Sequence, residues 1–322
     1  MPYAEIDINI WNIQTRGWIF TGCNLCDMIK QKGRHGMVEL RKARAGEEKA
    51  IAALWGRVFG DDGAFLAEFY RLCVPYDQML VLAEDSVVRS ILCAPEMTMR
   101  LPNEKALKCG YMYALATDPE ARNQGFGREM MRYGEAYLKN EGADCAILVP
   151  AEPSLFRFFD SLDYVPAFSH LRREVPGDQV VPERGADPAT PGEYNSLRRH
   201  WLKGRCYADY GDDLVEFQRY LSQGTGGDLY RLDLPGGAGC AAVELDGETA
   251  MVKELLCAPV DLDRALAQVA ARHPAGRYIL RLPAWDKGFG GQVLWGAVRW
   301  LYDRPSPWWP AGQDAYLGLA FD

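Results

Sequence analysis

The segment RNQGFG, residues 122–127, carries the clearest chemical signal in this sequence. It follows an apolar run typical of a buried strand (109–117), and it precedes a stretch whose apolar residues have helical spacing from Phe126 onward. Backbone N–H groups at the start of a helix attract anions, and glycines at 125 and 127 let the backbone approach a phosphate closely. The segment therefore predicts a phosphate-binding loop.

Three kinds of phosphate-binding loop contain such glycines, and the neighbouring residues separate them. A nucleoside-triphosphate loop needs Gly-Lys-Ser/Thr, whereas Gly127 is followed by Arg128. A dinucleotide-binding fold needs a third glycine where Met130 stands. The third kind, Arg/Gln-x-x-Gly-x-Gly/Ala, binds the pyrophosphate of coenzyme A, and Arg122, Gly125 and Gly127 match it at every defined position. The loop therefore predicts a coenzyme A site.

With this loop, residues 37–168 resemble the GNAT superfamily of acetyl-CoA-dependent N-acetyltransferases. The stretch ALATDPEARNQGFGREMMRYGEAYL is similar to that family's fourth strand, pyrophosphate loop and third helix, and AILVPAEPSLFRFFDSLDYVPAF is similar to its fifth strand, fourth helix and following turn. The resemblance implies that acetyl-CoA lies between the splayed fourth and fifth strands. The cofactor-binding residues that it implies are Leu115, Ala116, Thr117, Arg122, Asn123, Gln124, Gly125, Phe126, Gly127 and Arg128.

The resemblance also implies an activity, the transfer of an acetyl group from acetyl-CoA to a primary amine of a small molecule or peptide. The amine attacks the thioester directly, a base takes its proton, and an acid often protonates the leaving thiolate. The tyrosine that often supplies the acid is replaced here by Phe159, and a glycine of the same motif is replaced by Asp163. These departures leave open a second interpretation, a non-catalytic protein that senses acetyl-CoA.

The predicted catalytic residues are Tyr113 and Tyr111, which alternate onto the same strand face as Leu115. A neutral phenol with a pKa near ~10 is a poor base at pH 7, so catalysis by either tyrosine requires a water relay or a strongly perturbed phenol. Packing of both rings with bonded hydroxyl groups is the competing interpretation. Glu96 and Glu84, near strands that could flank the acceptor groove, are alternative bases.

The second half of the chain repeats the first in outline. The run MVKELLC falls opposite YMYALAT, and RYILRLP falls opposite DCAILVP, but residues 258–260 stand where the glycine-rich loop should be. The sequence thus predicts an α/β (α+β) fold with two GNAT-like domains. Each would have a mixed, mostly antiparallel sheet, one parallel strand pair and flanking helices, and the second copy would be degenerate. Tandem copies occur among acetyltransferases resembling the enhanced-intracellular-survival proteins, whose C-terminal carboxylate reaches the active site, and this resemblance suggests the same role for Asp322.

The predicted domain organisation has four parts. Residues 1–36 form an irregular N-terminal extension, with Met37 as a candidate true start. Residues 37–175 form the acetyltransferase domain, 176–191 a linker rich in proline, glycine and acidic residues, and 192–322 the degenerate domain.

Composition limits the partners and the compartment. The 322 residues carry 36 basic and 44 acidic side chains, a net charge of −8 without a basic block, which disfavours nucleic acid and an aminoacyl transferase that uses charged tRNA. We expect no membrane span and no secretory signal, because neither a long apolar run nor a basic, apolar leader is present. Nine scattered cysteines favour free thiols in the cytoplasm. No metal is expected, because the histidines lack ligand spacing and Cys23 and Cys26 lack a second pair.

Overall fold

A computed structural model describes residues 36–286, 288–302, 309–310 and 314–321, and the backbone of 18–20 and 28–32. The strands are β1 (Trp18–Phe20), β2 (Met28–Lys32), β3 (Met37–Lys42), β4 (Leu80–Glu84), β5 (Val87–Cys93), β6 (Glu96–Arg100), β7 (Ala106–Tyr111), β8 (Tyr113–Thr117), β9 (Cys145–Leu148), β10 (Val165–Pro176), β11 (Asp187–Pro188), β12 (Tyr207–Asp209), β13 (Asp228–Leu232), β14 (Gly239–Asp246), β15 (Thr249–Leu256), β16 (Arg277–Pro283) and β17 (Gly291–Trp300). The helices are α1 (Glu48–Phe59), α2 (Gly63–Leu72), α3 (Phe126–Asn140), α4 (Phe156–Asp160), α5 (Pro191–Leu202), α6 (Asp212–Gly224) and α7 (Leu262–Arg272).

These strands form two sheets. One has six strands in the order β1-β2-β3-β4-β5-β8, and the other has eleven in the order β11-β13-β14-β15-β16-β10-β17-β9-β7-β6-β12. Among the named strands, pairing is antiparallel except for β7 with β9 and β15 with β16. Both parallel pairs lie in the eleven-stranded sheet, which is mixed, whereas the six-stranded sheet is antiparallel throughout. The α/β class and both predicted parallel pairs are therefore confirmed.

Helix α3 shows how the sequence pattern seats a helix on the sheet beside the loop. Its buried face includes Met130, Tyr137 and Leu138. On the same face, a Cβ added to Gly134 would lie 2.6 Å from a Leu92 methyl carbon on β5, so only glycine permits this close approach. The helix is thereby fixed against the strands, with its N-terminus at the glycine-rich loop.

The larger sheet runs through both halves of the sequence. Strand β10 pairs with β16 on one side and with β17 on the other, and β17 in turn pairs with β9. Strand β12 adds to β6 at the far edge. The division into domains 37–175 and 192–322 remains a prediction, but the two segments share one hydrogen-bonded sheet.

Three strands differ from the sequence-based expectations. Residues 18–20 and 28–32 lie in the segment predicted to be irregular, yet they form β1 and β2, and β2 pairs with β3. The sequence pattern predicted no element over 291–300, where β17 lies. Its partners lie more than 100 residues away, as in the pairing of Val298 with Ile147, so no local turn signal marks it.

Candidate active site

The centre of the site is a fork between two parallel strands. Strands β7 and β9 pair only as far as Tyr111 and Ile147. The next bond, 2.7 Å from the Met112 N–H to the Ile147 carbonyl, is followed by β8, which joins β5 in the other sheet. The sequence predicted one strand over 109–117, whereas the structure divides it at Met112 and opens a gap beside β8.

The backbone of β8 leaves polar groups facing this gap. The Asp118 N–H donates to the Arg89 carbonyl of β5 at 2.8 Å, so the backbone groups of Asp118, and those of Ala116 two residues earlier, point toward β5. Backbone groups alternate along a strand, so those of Leu115 and Thr117 face the open side. Ala114 has φ of 53°, and the pairing register shifts beside it, so a bulge bends the strand at the fork.

The glycine-rich loop lies at the open end of the fork. Gly125 has φ of 93° and is the N-cap of α3, where a glycine has no side chain with which to bond the first N–H groups of the helix. A Cβ at this position would meet nothing within 4 Å, and residues 122–125 are exposed. The N–H groups of the first helical turn have no intrahelical acceptor, so they are suited to bind an anion.

The start of α3 lies close to β8 and is bonded to the turn after α4. A Cβ on Gly127 would lie 3.7 Å from the Thr117 hydroxyl oxygen, which shows that α3 starts directly over the end of β8. Arg128 donates to the Ser161 carbonyl at 3.0 Å and to its hydroxyl at 2.8 Å. The predicted cofactor residues are thus brought together around one gap.

Both predicted catalytic tyrosines contact the 314–321 segment. The Tyr111 hydroxyl donates to the Ala320 carbonyl at 2.7 Å, and the Tyr113 hydroxyl donates to the Phe321 carbonyl at 3.1 Å. The two rings lie 5.7 Å apart. Each phenol thereby uses its proton to hold the backbone of this segment beside the fork. Asp322, the next residue, lies outside the described residues.

Aromatic side chains from both halves surround these tyrosines. The Tyr113 ring stacks on Phe69 of α2 at 5.7 Å between centroids. Phe69 in turn meets Phe217 of α6 at 5.7 Å, and Phe321 lies 6.1 Å from Phe217. On the side of Tyr113, the fork is therefore bordered by two helices, α2 from the first half of the sequence and α6 from the second.

The motif after β9 explains one departure from the family pattern. Asp163 stands where the family has glycine and adopts φ of 63°, a left-handed conformation that Asp tolerates better than most residues. Phe159 is buried and lies edge-on to Tyr164, 6.0 Å between ring centroids. Phe159 therefore serves packing and has no proton to donate.

The alternative bases form ion pairs on the strands. Glu96 pairs with Lys108 at 2.9 Å and its side chain is largely exposed, while Glu84 pairs with Arg89 at 3.5 Å. Neither contact involves the tyrosines or the 314–321 segment. Among the described residues, no group of His, Cys, Asp or Glu could hold a metal, and Cys23 and Cys26 lie outside them.

The second half has its own fork but a different loop. Strands β15 and β16 pair only from Thr249 to Val252 along β15. The turn before α7 carries Asp261, whose carboxylate accepts from the Gly236 N–H at 2.8 Å. The residues before it, 258–260, contain no glycine, and Pro259 has no N–H to offer an anion, so the second half lacks the equivalent of the phosphate loop.

A buried ion pair, missed by the sequence reasoning, lies behind the 314–321 segment. Arg198 of α5 donates through Nε to both carboxylate oxygens of Glu254 on β15, at 3.1 and 2.9 Å, and both side chains are fully buried. Arg198 also donates through Nη1 to the Ala208 carbonyl and through Nη2 to the Leu317 carbonyl, the latter at 3.1 Å. Burial alone would lower the pKa of Arg198, but the attraction of Glu254 outweighs it and raises that pKa. The partners are too far apart in sequence for any motif to reveal them.

Comparison with known proteins agrees with this geometry. Residues 39–164 match the family model of the acetyltransferase (GNAT) domain. Three solved structures are similar to the chain, each at low identity. A conserved Enterococcus faecalis V583 protein described as a probable N-acyltransferase has a TM-score of 0.63 and 13% identity over 82% of this chain and 73% of its own. A GCN5-related N-acetyltransferase from Kribbella flavida has a TM-score of 0.62 and 14% identity over 82% of this chain and 71% of its own. Eis1 from Mycobacterium abscessus has a TM-score of 0.59 and 13% identity over 82% of this chain and 73% of its own.

At such identities the structural likeness shows the fold alone. No curated protein matches the sequence. None of the described helices combines the length and the apolar character that crossing a bilayer requires.

Proposed function

The chain belongs to the GNAT superfamily of acyltransferases, and we propose that it transfers an acetyl group from acetyl-CoA to a primary amine of a small molecule or peptide. Acetyl-CoA supplies a thioester, whose acetyl group passes to the amine nitrogen as the thiol is released. The proposal rests on one observation above all, the open fork beside β8 with an uncapped helix N-terminus at its end.

The residues around the fork fit this cofactor. The backbone groups of Leu115 and Thr117 would hold the pantetheine chain along β8, while those of Ala116, between them, face β5 and keep the strand in place. The exposed residues 122–125 and the first turn of α3, from Phe126 through Gly127 to Arg128, would hold the pyrophosphate through their N–H groups. Open space on the Cβ side of Gly125 leaves room for the phosphates.

The amine must lose a proton, and the tyrosines are poorly arranged to take it. In the described geometry Tyr111 and Tyr113 both donate to backbone carbonyls, so we propose that they position the 314–321 segment. We propose Asp322, directly after Phe321, as the base, because a carboxylate accepts protons without first losing one. Deleting Asp322 removes its side-chain carboxylate and displaces its main-chain carboxylate, and should then lower kcat by about a hundredfold or more, the usual scale for loss of a general base, with unchanged acetyl-CoA affinity.

A thiol-release screen tests the activity. Polyamines, aminoglycosides, amino acids and peptides are each incubated with acetyl-CoA and the protein, and the free thiol is measured. Thiol release that requires both an amine and an intact Gly125 would support the proposal. A protein that binds acetyl-CoA but releases thiol with none of these amines would instead be the sensor, which the lack of a hydroxyl at Phe159 favours.

The remaining proposals follow from charge and thiols. The net charge of −8 disfavours the aminoacyl transferase alternative, and tight tRNA binding at physiological salt would restore it. We propose a cytoplasmic location, because the seven described cysteines are free thiols. We propose no metal, nucleic-acid or membrane partner, and we assign no oligomeric state.

A further inference from the structure

The buried ion pair and the 314–321 segment are joined by a dense set of hydrogen bonds. The Tyr316 N–H donates to the Cys206 carbonyl at 2.9 Å, and the Ala208 N–H donates to the Tyr316 carbonyl at 2.8 Å. One residue later, the Leu317 carbonyl accepts from Arg198 at 3.1 Å and from the Tyr210 hydroxyl at 2.9 Å. The second half therefore fixes the register of this segment before it reaches the fork.

The path of the segment past the ion pair requires glycine. Gly318 has φ of 73°, and a Cβ there would overlap Oε1 of Glu254 and lie 2.8 Å from Nη2 of Arg198. Beyond this point Ala320 and Phe321 both have positive φ, which turns the chain toward the tyrosines. The backbone thus passes directly over the ion pair and then bends into the site.

Stability is a weak explanation for such a pair. Removing two charges from water is costly, and apolar residues of similar size often stabilise a fold as well or better. An arginine does fix geometry here, because its planar group holds the carboxylate through Nε and leaves Nη1 and Nη2 for other acceptors. Here those acceptors are the carbonyls of Ala208 on β12 and Leu317 in the segment.

We propose that Arg198 and Glu254 are positioning residues that set where residues 320–321 lie against Tyr111 and Tyr113. This inference rests on the proposed function, and it gives the second half a part in the reaction although it has no glycine-rich loop of its own. Catalysis is sensitive to such placement, since a shift of about 1 Å can cost about a hundredfold in rate.

Two variants test the ion pair and the 314–321 segment separately. Arg198→Met with Glu254→Leu removes both charges together and leaves no lone buried ion. Gly318→Ala keeps the pair but displaces the backbone that passes over it. Gly226→Ala is the control, because Gly226 is also left-handed, with φ of 90°, but a Cβ there makes only an ordinary contact with Leu245.

Each variant is measured in the full chain in three ways: hydrogen exchange of the amides of 314–321, acetyl-CoA affinity by calorimetry, and kcat with the best amine from the screen. We expect faster exchange confined to the segment and its partners. We also expect unchanged acetyl-CoA affinity and a kcat lowered at least about tenfold in both test variants. Combining all three substitutions should add little to either loss, because both act through one segment. Gly226→Ala should match the wild type.

Unchanged exchange and unchanged kcat in the folded double variant would overturn the inference. So would faster exchange spread evenly over the whole second half, which indicates a general structural role. If the wild type acetylates no amine, the proposed function fails on its own. The exchange and affinity measurements then still decide whether the pair holds the segment.

Discussion

Valine at position 125 perturbs the proposed pyrophosphate site without a clash inside the protein. A Cβ at Gly125 meets nothing within 4 Å, so the cost comes from the backbone, whose φ is 93°. A left-handed conformation costs an L-residue roughly 1–2 kcal/mol, and a β-branched residue adopts it rarely. If the backbone rotates to relieve this strain, the N–H groups of the loop turn away from the proposed phosphate position. The valine side chain also fills space proposed for that phosphate.

We expect Gly125→Val to weaken acetyl-CoA binding at least roughly tenfold, about 1.4 kcal/mol, measured by calorimetry beside a thermal melt. Gly142→Val is the matched control, because Gly142 is also left-handed with open space around it, at the other end of α3. It should lower the melting temperature similarly and leave affinity unchanged. Arg122→Ala should cost less than Gly125→Val, since one exposed charge contributes little beside several N–H groups. Undiminished binding by folded Gly125→Val would refute the cofactor site.

Three further measurements test other parts of the structure. Calorimetry should give one acetyl-CoA per chain, because the second half has Ala258, Pro259 and Val260 in place of a glycine-rich loop; two sites would contradict this. Tyr113→Phe removes one hydrogen bond to Phe321 and should lower kcat only modestly, whereas a loss of about a hundredfold or more would identify Tyr113 as the base. Burial raises the pKa of Glu135 to about 7, against an attraction to Arg299 that lowers it. Its ionisation therefore destabilises the fold as pH rises from about 4.5 to 7. The stability of Glu135→Gln relative to wild type, from urea unfolding, should rise over that interval, and a constant difference would refute the raised pKa.

The parts of the site that the sequence predicted are those that depend on local chain geometry. Arg122, Gly125 and Gly127 lie within six residues of one another, and their spacing alone specifies a loop at a helix start. The parallel pairs were also predictable, because a strand, a helix and a strand in close succession form a crossover with few alternatives.

What the sequence could not predict depends on contacts between distant residues. The Tyr111 hydroxyl and its acceptor on Ala320 are 209 positions apart, and Arg198 and Leu317 are 119 apart. No periodicity encodes such a contact. Asp163 lies between these two cases. The sequence shows that Asp replaces the glycine of the family motif, but only the observed φ of 63° explains why Asp is tolerated there.

The position of β17 has a consequence for how the protein forms during synthesis. This strand lies between β9 and β10. The edges of β9 and β10 that pair with it therefore stay unpaired until the ribosome has added residues more than 100 positions later in the chain. Until then, two strand edges with unpaired N–H and C=O groups are exposed, a state prone to pairing with other chains. A chain cut short before residue 291 would keep the whole glycine-rich loop and yet lack the strand that closes its sheet. Nascent or truncated copies should therefore depend on chaperones much more than the finished protein does.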